Sequence, residues 1–169
     1  MLIAIISDTH MPRGRRALPS RAVEIMKSAD LIIHAGDIMT VEVLAELEAF
    51  GPPVAAVHGN MDSVELRRRL PAERLVALEG ASIGVVHDAG PVRNRLDRLR
   101  GRFPGADAVV FGHSHLPLHE QSGGFQIFNP GSPTERRRAP RCSIGLARLD
   151  GSRLSFEHVW LYRHNERPA

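Results

Sequence analysis

Seven side chains with metal-donor atoms stand where five apolar runs end: Asp8 and His10, Asp37, Asn60, His87, then His113 and His115. Carboxylate and amide oxygens are donors, and neutral imidazole is the commonest metal ligand among side chains. Asp8 with His10, and His113 with His115, repeat the spacing i, i+2, which on an extended segment turns both side chains to one face. Seven donors exceed the four of a closed tetrahedral zinc site. Two ions sharing a bridging carboxylate would use all seven and leave positions for water and substrate. Oxygen and imidazole donors without sulfur suit manganese, iron(II), nickel, cobalt or zinc. Two such ions ~3.5–4 Å apart activate a water and stabilise the attacking and leaving oxygens of a phosphoryl displacement, so hydrolysis is the natural chemistry.

The apolar runs must carry these donors to one place. Residues 2–6, 31–33, 54–57, 83–86 and 108–111 are continuously apolar, as strands buried on both faces are. Helical patterns over 21–27, 41–50, 63–70 and 92–103 separate them, with Thr40 placed to cap the second and Leu96 and Leu99 on the inner face of the last. In open α/β sheets, sites form beyond the carboxyl ends of the strands, so parallel strands bring all five endings to one rim. After residue 111 the alternation gives way to short strands. A run at 126–128 leads into Asn129-Pro130-Gly131-Ser132, and Asp150-Gly151 joins 144–149 to 153–161 in a hairpin.

A chain of 169 residues, 43% of them hydrophobic, fits one domain over residues 1–162 with a polar tail at 163–169. No apolar run approaches the ~20 residues of a membrane span, and residues 2–6 are too few for a signal-peptide core, so a cytoplasmic location without membrane partners is expected. Cys142 is the only cysteine, which excludes an intramolecular disulfide and a thiolate metal cluster. The pI near 9.9 overstates the basicity, because Lys27 is the only lysine and Tyr162 the only tyrosine in a chain of formal charge +3. The arginine clusters at 13–16, 67–69 and 136–138 read as solvated faces.

In this order, Asp8-x-His10, Gly36-Asp37, Gly59-Asn60, His87 and Gly112-His113-x-His115 resemble the calcineurin-like metallophosphoesterases. The short length, His34-Ala35-Gly36-Asp37 and Asn129-Pro130-Gly131-Ser132 are similar to the small YfcE/MJ0936-type phosphodiesterases, over roughly residues 3–161. The resemblance implies an α/β fold, a two-sheet β-sandwich flanked by helices in four αββα layers. It also implies a dinuclear centre, often manganese, that hydrolyses phosphate esters, chiefly diesters. Asp8, His10 and His115 would be ligands of the first ion, Asp37 the bridge, and Asn60, His87 and His113 ligands of the second. The attacking group would be a metal-bridging hydroxide held by Asp37 and the two ions, with no protein nucleophile, leaving Cys142 as a packed core residue.

Two positions depart from the wider superfamily. Met61 stands where many members carry a His that protonates the leaving oxygen, a role commonly worth ~10²–10⁴-fold; the small phosphodiesterases often lack it too. Asp88 follows His87 where Gly is frequent, as an acceptor that orients an imidazole or as a turn carboxylate. Among lesser candidates, His34 and His58 read as packed or ligand-orienting residues, and Asp62 as the cap of the following helix ahead of an imidazole acceptor. Asn129 to Ser132 read as a turn closing the rim. Arg13, Arg16 and Arg141 could each bind a phosphate oxygen through a bidentate fork. His119, His158 and His164 fit no constellation.

The expected substrate is a small phosphodiester or a nucleotide. One rival is a non-catalytic scaffold like Vps29, which uses a degraded site of this fold as a binding surface, against which stand seven intact ligand positions. Others are a phosphomonoesterase and a nuclease. The nuclease needs a basic groove with aromatic stacking platforms, and at 5% aromatic residues nucleic acid is not favoured. A homo-oligomer stays open.

Overall fold

The computed structural model describes residues 1–161, so the polar tail expected at 163–169, with His164, lies outside the described residues. The first sheet holds β1 (Leu2–Ile6), β2 (Leu31–His34), β3 (Val54–Ala56), β9 (Cys142–Asp150) and β10 (Arg153–Leu161), in the order β10-β9-β1-β2-β3. Its strands β1, β2 and β3 are parallel, with Ile5 opposite Ile33 and Ile33 opposite Ala55, and the β9–β10 hairpin adds antiparallel on the far side of β1. The second sheet holds β4 (Glu73–Leu78), β5 (Ala81–Val86), β6 (Ala108–Val110), β7 (Leu118–Ser122) and β8 (Phe125–Asn129), in the order β4-β5-β6-β8-β7, with β5, β6 and β8 parallel. The helices are α1 (Ser20–Ser28), α2 (Val41–Glu48), α3 (Val64–Arg69) and α4 (Arg95–Arg102).

Side-chain alternation explains why the runs are apolar throughout. Ile3 and Ile5 point between the sheets and join Ile83, Val85, Val110 and Phe128 in one buried cluster. Ala4, Ile6 and Ile32 point the other way, onto Ala22, Ile25 and Met26 of α1 and Leu47 of α2. On the second sheet Val109, Phe111 and Ile127 face outward and meet Leu99 of α4 and Phe103, the residue that caps its C-terminus. Both sheets are therefore covered on both faces. The result is the expected two-sheet sandwich flanked by helices. Cys142 is half-buried and packs against the cluster under α1 from its edge, so it is a peripheral residue of the core.

Several local readings change. The strand β7 was not anticipated, because Leu118-His119-Glu120-Gln121-Ser122 is mostly exposed and polar, as suits an unpaired edge. The helix expected over 92–103 begins only at Arg95, after Asn94 in a left-handed conformation. Its arginines are not simply solvated: the guanidinium groups of Arg95 and Arg100 lie 5.2 Å from the ring centroids of Phe111 and Phe125. Thr40 occupies the N-cap of α2, but its side chain takes no bond from a helix N–H. The cap of α3 is Ser63, whose hydroxyl accepts from the Leu66 N–H at 3.2 Å, and not Asp62. No helix of the described residues is long and apolar enough to cross a membrane.

Phe128 joins the two layers. It is fully buried and stacks on Phe156 and His158 with ring centroids 4.9 and 4.4 Å away. Phe128→Ala is expected to lower the unfolding free energy by about 3–5 kcal/mol in denaturant titration; a loss under about 1 kcal/mol would mean that the sheets are held together elsewhere.

Candidate metal centre

Every donor named from the sequence leaves the carboxyl end of a parallel strand: Asp8 and His10 after β1, Asp37 after β2, Asn60 after β3, His87 after β5, His113 and His115 after β6. Three of these strands belong to one sheet and two to the other, so the site straddles the seam of the sandwich. The seven side chains form an unbroken chain of donor atoms. Asp8 Oδ1 lies 3.3 Å from His115 Nε2, which lies 3.2 Å from His10 Nε2. His10 Nε2 is 3.5 Å from Asp37 Oδ2, and the same oxygen is 3.4 Å from His87 Nε2. Asn60 Oδ1 then sits 3.1 Å from His87 Nε2 and 3.0 Å from His113 Nδ1.

The i, i+2 spacing brings these residues together for a reason other than the expected one. The segments are not extended: Asp8, His10, Asp37, His113 and His115 all have positive φ, between 46° and 66°. Asp and His tolerate this left-handed region better than most residues. His113 and His115 consequently go to different parts of the site, His113 to Asn60 and His87, His115 to Asp8 and His10. The glycines ahead of the donors are required by close approach. A Cβ on Gly112 would collide with Ser7 Oγ and come within 2.7 Å of Asp8 Oδ2, and one on Gly59 would collide with Asp37 Oδ1.

The surroundings point the lone pairs inward. His87 Nδ1 bonds the Ala35 carbonyl at 2.8 Å and His115 Nδ1 bonds the Glu135 carbonyl at 2.7 Å, so each neutral ring donates at Nδ1 and turns a bare Nε2 to the centre. Asp8 Oδ2 accepts from Ser7 Oγ and the His113 N–H, while the buried Asp8 Oδ1 has no hydrogen-bond partner. Asp37 Oδ1 accepts from the Met61 N–H at 2.7 Å, which leaves Oδ2 between the two imidazoles. Buried acceptors facing acceptors need a cation. Asp8, His10 and His115, and likewise Asp8, Asp37 and His87, are grouped closely enough to hold one.

The electrostatics agree. Burial works against ionising Asp37, but the His87 hydrogen bond and charge, the Met61 N–H and His10 outweigh it and hold the carboxyl at about 2. Burial depresses His10, with Asp37 and Asp8 only partly offsetting it. Burial also opposes protonation of His87, yet its hydrogen bond to Asp37, the Asp8 and Asp37 charges and the Ala35 carbonyl leave it above the ordinary value.

The remaining candidates separate. His34 is buried, accepts from the Gly36 N–H, contacts Thr9 Oγ1, and is held down to about 4 by burial; it is a neutral packed residue. His58 lines a cleft of about 380 Å3 with Asn60, Arg67, His87, Arg102 and His113. Asp88 is a turn carboxylate that accepts from the Gly90 N–H. Arg13 and Arg141 are exposed, and Arg16 pairs with Glu135 at 2.9 Å. His119 meets Gln126 Oε1 and His158 bonds the Asn129 carbonyl, both away from the site. Asn129 and Ser132 bond the carbonyls of Gly112 and Asp8, closing the rim as expected. Sequence reasoning missed the clamping role of Asp62, whose carboxylate accepts from the N–H groups of Asp37, Met39 and Gly59. It also missed Ser7 and the carbonyls of Ala35 and Glu135. An Asp between Asn60 and a helix reads as a cap, and a carbonyl has no residue type at all.

The chain matches the calcineurin-like phosphoesterase superfamily domain over residues 1–152. It is 36% identical over 161 residues to a probable metallophosphoesterase of Methanothermobacter thermautotrophicus, covering 94% of this chain and 92% of the relative. It is 25% identical over 146 residues to the phosphodiesterase MJ0936 of Methanocaldococcus jannaschii, covering 78% of this chain and 83% of that one. A crystal structure of Vps29 complexed with zinc, from Entamoeba histolytica, superposes with a TM-score of 0.76 at 21% identity, covering 95% of this chain and 99% of the other; at that identity the likeness is one of fold.

Because protons compete with the ion for the imidazole nitrogens, and the carboxylates around His87 favour its protonated form, divalent-metal binding is expected to weaken as pH falls, read by calorimetry across pH; pH-independent affinity would contradict this. Asp62→Ala strands three N–H groups and is expected to cost on the order of 3 kcal/mol of stability and to weaken metal binding, whereas wild-type behaviour in both would remove the clamp from the account.

Proposed function

Since the chain belongs to the calcineurin-like phosphoesterase superfamily, we propose that it is a phosphodiesterase that works with two divalent ions, manganese foremost, with nickel, iron(II), cobalt and zinc as alternatives. The observation that carries this reading is the unbroken donor chain with Asp37 Oδ2 at its middle. Asp8, His10 and His115 would hold one ion and Asn60, His87 and His113 the other, with Asp37 placed to serve both. When bound, such a pair supplies an activated water and neutralises charge on both the attacking and leaving oxygens of a phosphate.

The chain's own residues prepare that chemistry. Asp37 stays ionised across the working pH range, which keeps a bridging oxygen available. The Ala35 and Glu135 carbonyls fix the imidazole tautomers, so no reorganisation is needed when an ion or substrate arrives. The cleft beside Asn60 and His113 gives room for one substituent of the phosphate. Met61 is half-exposed and serves the site through its N–H alone, so no side chain at this position protonates a leaving oxygen. The reaction therefore favours good leaving groups or takes the leaving-group proton from another source.

A Vps29-like scaffold is the second reading, supported by the fold likeness. Ion binding does not separate the two, because that Vps29 is itself described with zinc, and turnover does. Chelated protein reloaded with manganese is expected to hydrolyse bis(p-nitrophenyl) phosphate faster than p-nitrophenyl phosphate, and His113→Ala to lower the rate about a hundredfold or more. Faster monoester turnover would make it a phosphomonoesterase. Absence of turnover with manganese, nickel, cobalt, iron(II) and zinc, with two ions bound, would turn the assignment to the scaffold.

A further inference from the structure

Two arginine clusters that composition assigns to solvated faces come together beside the donor chain. Residues 9–18 follow Asp8, and residues 130–141 connect β8 to β9. The second loop is fastened to the first: Ser132 Oγ donates to the Asp8 carbonyl at 2.8 Å, Thr134 Oγ1 to the Thr9 carbonyl at 2.7 Å, and Arg16 pairs with Glu135 at 2.9 Å. It is fastened to the β6 loop as well, through His115 Nδ1 on the Glu135 carbonyl at 2.7 Å and Arg137 on the His113 carbonyl at 3.4 Å. These arginines therefore ride on backbone tied to Asp8, His113 and His115.

The two loops carry seven arginines against one acid, Glu135, a formal +6 in a chain whose total is +3. Arg16 and Arg137 share that acid, at 2.9 and 4.0 Å. The exposed guanidinium groups of Arg13, Arg15 and Arg138 pair with nothing among the described residues. Concentrating like charge opposes folding, and a guanidinium fork matches phosphate oxygens. Neither loop contains Phe, Tyr or Trp, so bases have no ring to stack on there.

We propose, resting on the phosphodiesterase reading above, that this rim holds phosphates flanking the scissile one and that the substrate class is a short single-stranded oligonucleotide gripped by its backbone. A small diester leaves Arg13, Arg15 and Arg138 unused, whereas a strand with one phosphate per nucleotide engages both loops. Without the aromatic platform that a nuclease groove would add, the grip rests on the phosphates alone, which carry no base identity.

The test is fluorescence anisotropy of the manganese-loaded protein with a labelled phosphorothioate oligothymidylate, beside the same strand with an uncharged methylphosphonate backbone. The anionic strand is expected to bind, with affinity falling steeply between about 50 and 200 mM salt, and the neutral strand not to bind. Arg13→Gln combined with Arg15→Gln and Arg138→Gln should weaken binding about tenfold or more and make the salt slope shallower by roughly 2. An unchanged melting midpoint establishes that the variant is folded. Equal binding by wild type and variant, or by both strands, overturns the proposal. Failure of the phosphodiesterase reading shows separately, as absent turnover of bis(p-nitrophenyl) phosphate, which the binding measurement does not use.

Discussion

Asp37 Oδ2 lies between an imidazole delivered by the first sheet, His10, and one delivered by the second, His87. The position is tenable only while the two sheets keep one relative placement, because a shift of an ångström would leave an ionised, nearly buried carboxylate without partners. What fixes that placement is the cluster between the sheets, with Ile3 and Ile5 against Ile83, Val85 and Phe128. Site and core are therefore one problem. The Met61 N–H and the Asp62 clamp solve the local part of it, by holding the loops after β2 and β3 around the carboxylate.

The loops themselves are the second constraint. Five donors take left-handed backbone conformations, and the Gly112 and Gly59 positions have no space for a side chain because another loop's donor lies against them. Such conformations persist only where surrounding bonds over-determine them. Asp and His serve twice here, as ligand atoms and as residues that accept positive φ. This explains why the donors can crowd onto loops only a few residues long and still point inward.

Much of this was legible in the chain. A strand buried on both faces is apolar without interruption, so its end is conspicuous, and five such ends carrying Asp, His or Asn pointed to the rim where the seven donors gather. The proximity of His113 and His115 was legible too, although through a left-handed loop and not an extended one. The edge strand β7 left no trace because an exposed edge needs no apolar pattern. Asp62 looked like a cap because side-chain acceptors precede helices for that purpose so often. The carbonyls that set the tautomers of His87 and His115 belong to the backbone and carry no residue signature. The approach of the two arginine loops depends on hydrogen bonds between residues more than a hundred positions apart, such as Thr134 to Thr9, which spacing cannot reveal.

The central claim is that one carboxylate joins two ions. Electron paramagnetic resonance of the manganese-loaded protein tests it most directly. Two ions per chain with a spin-coupled spectrum, as expected at a separation of ~3.5–4 Å, is the result the account predicts. A single ion per chain with the six-line spectrum of isolated manganese would contradict it.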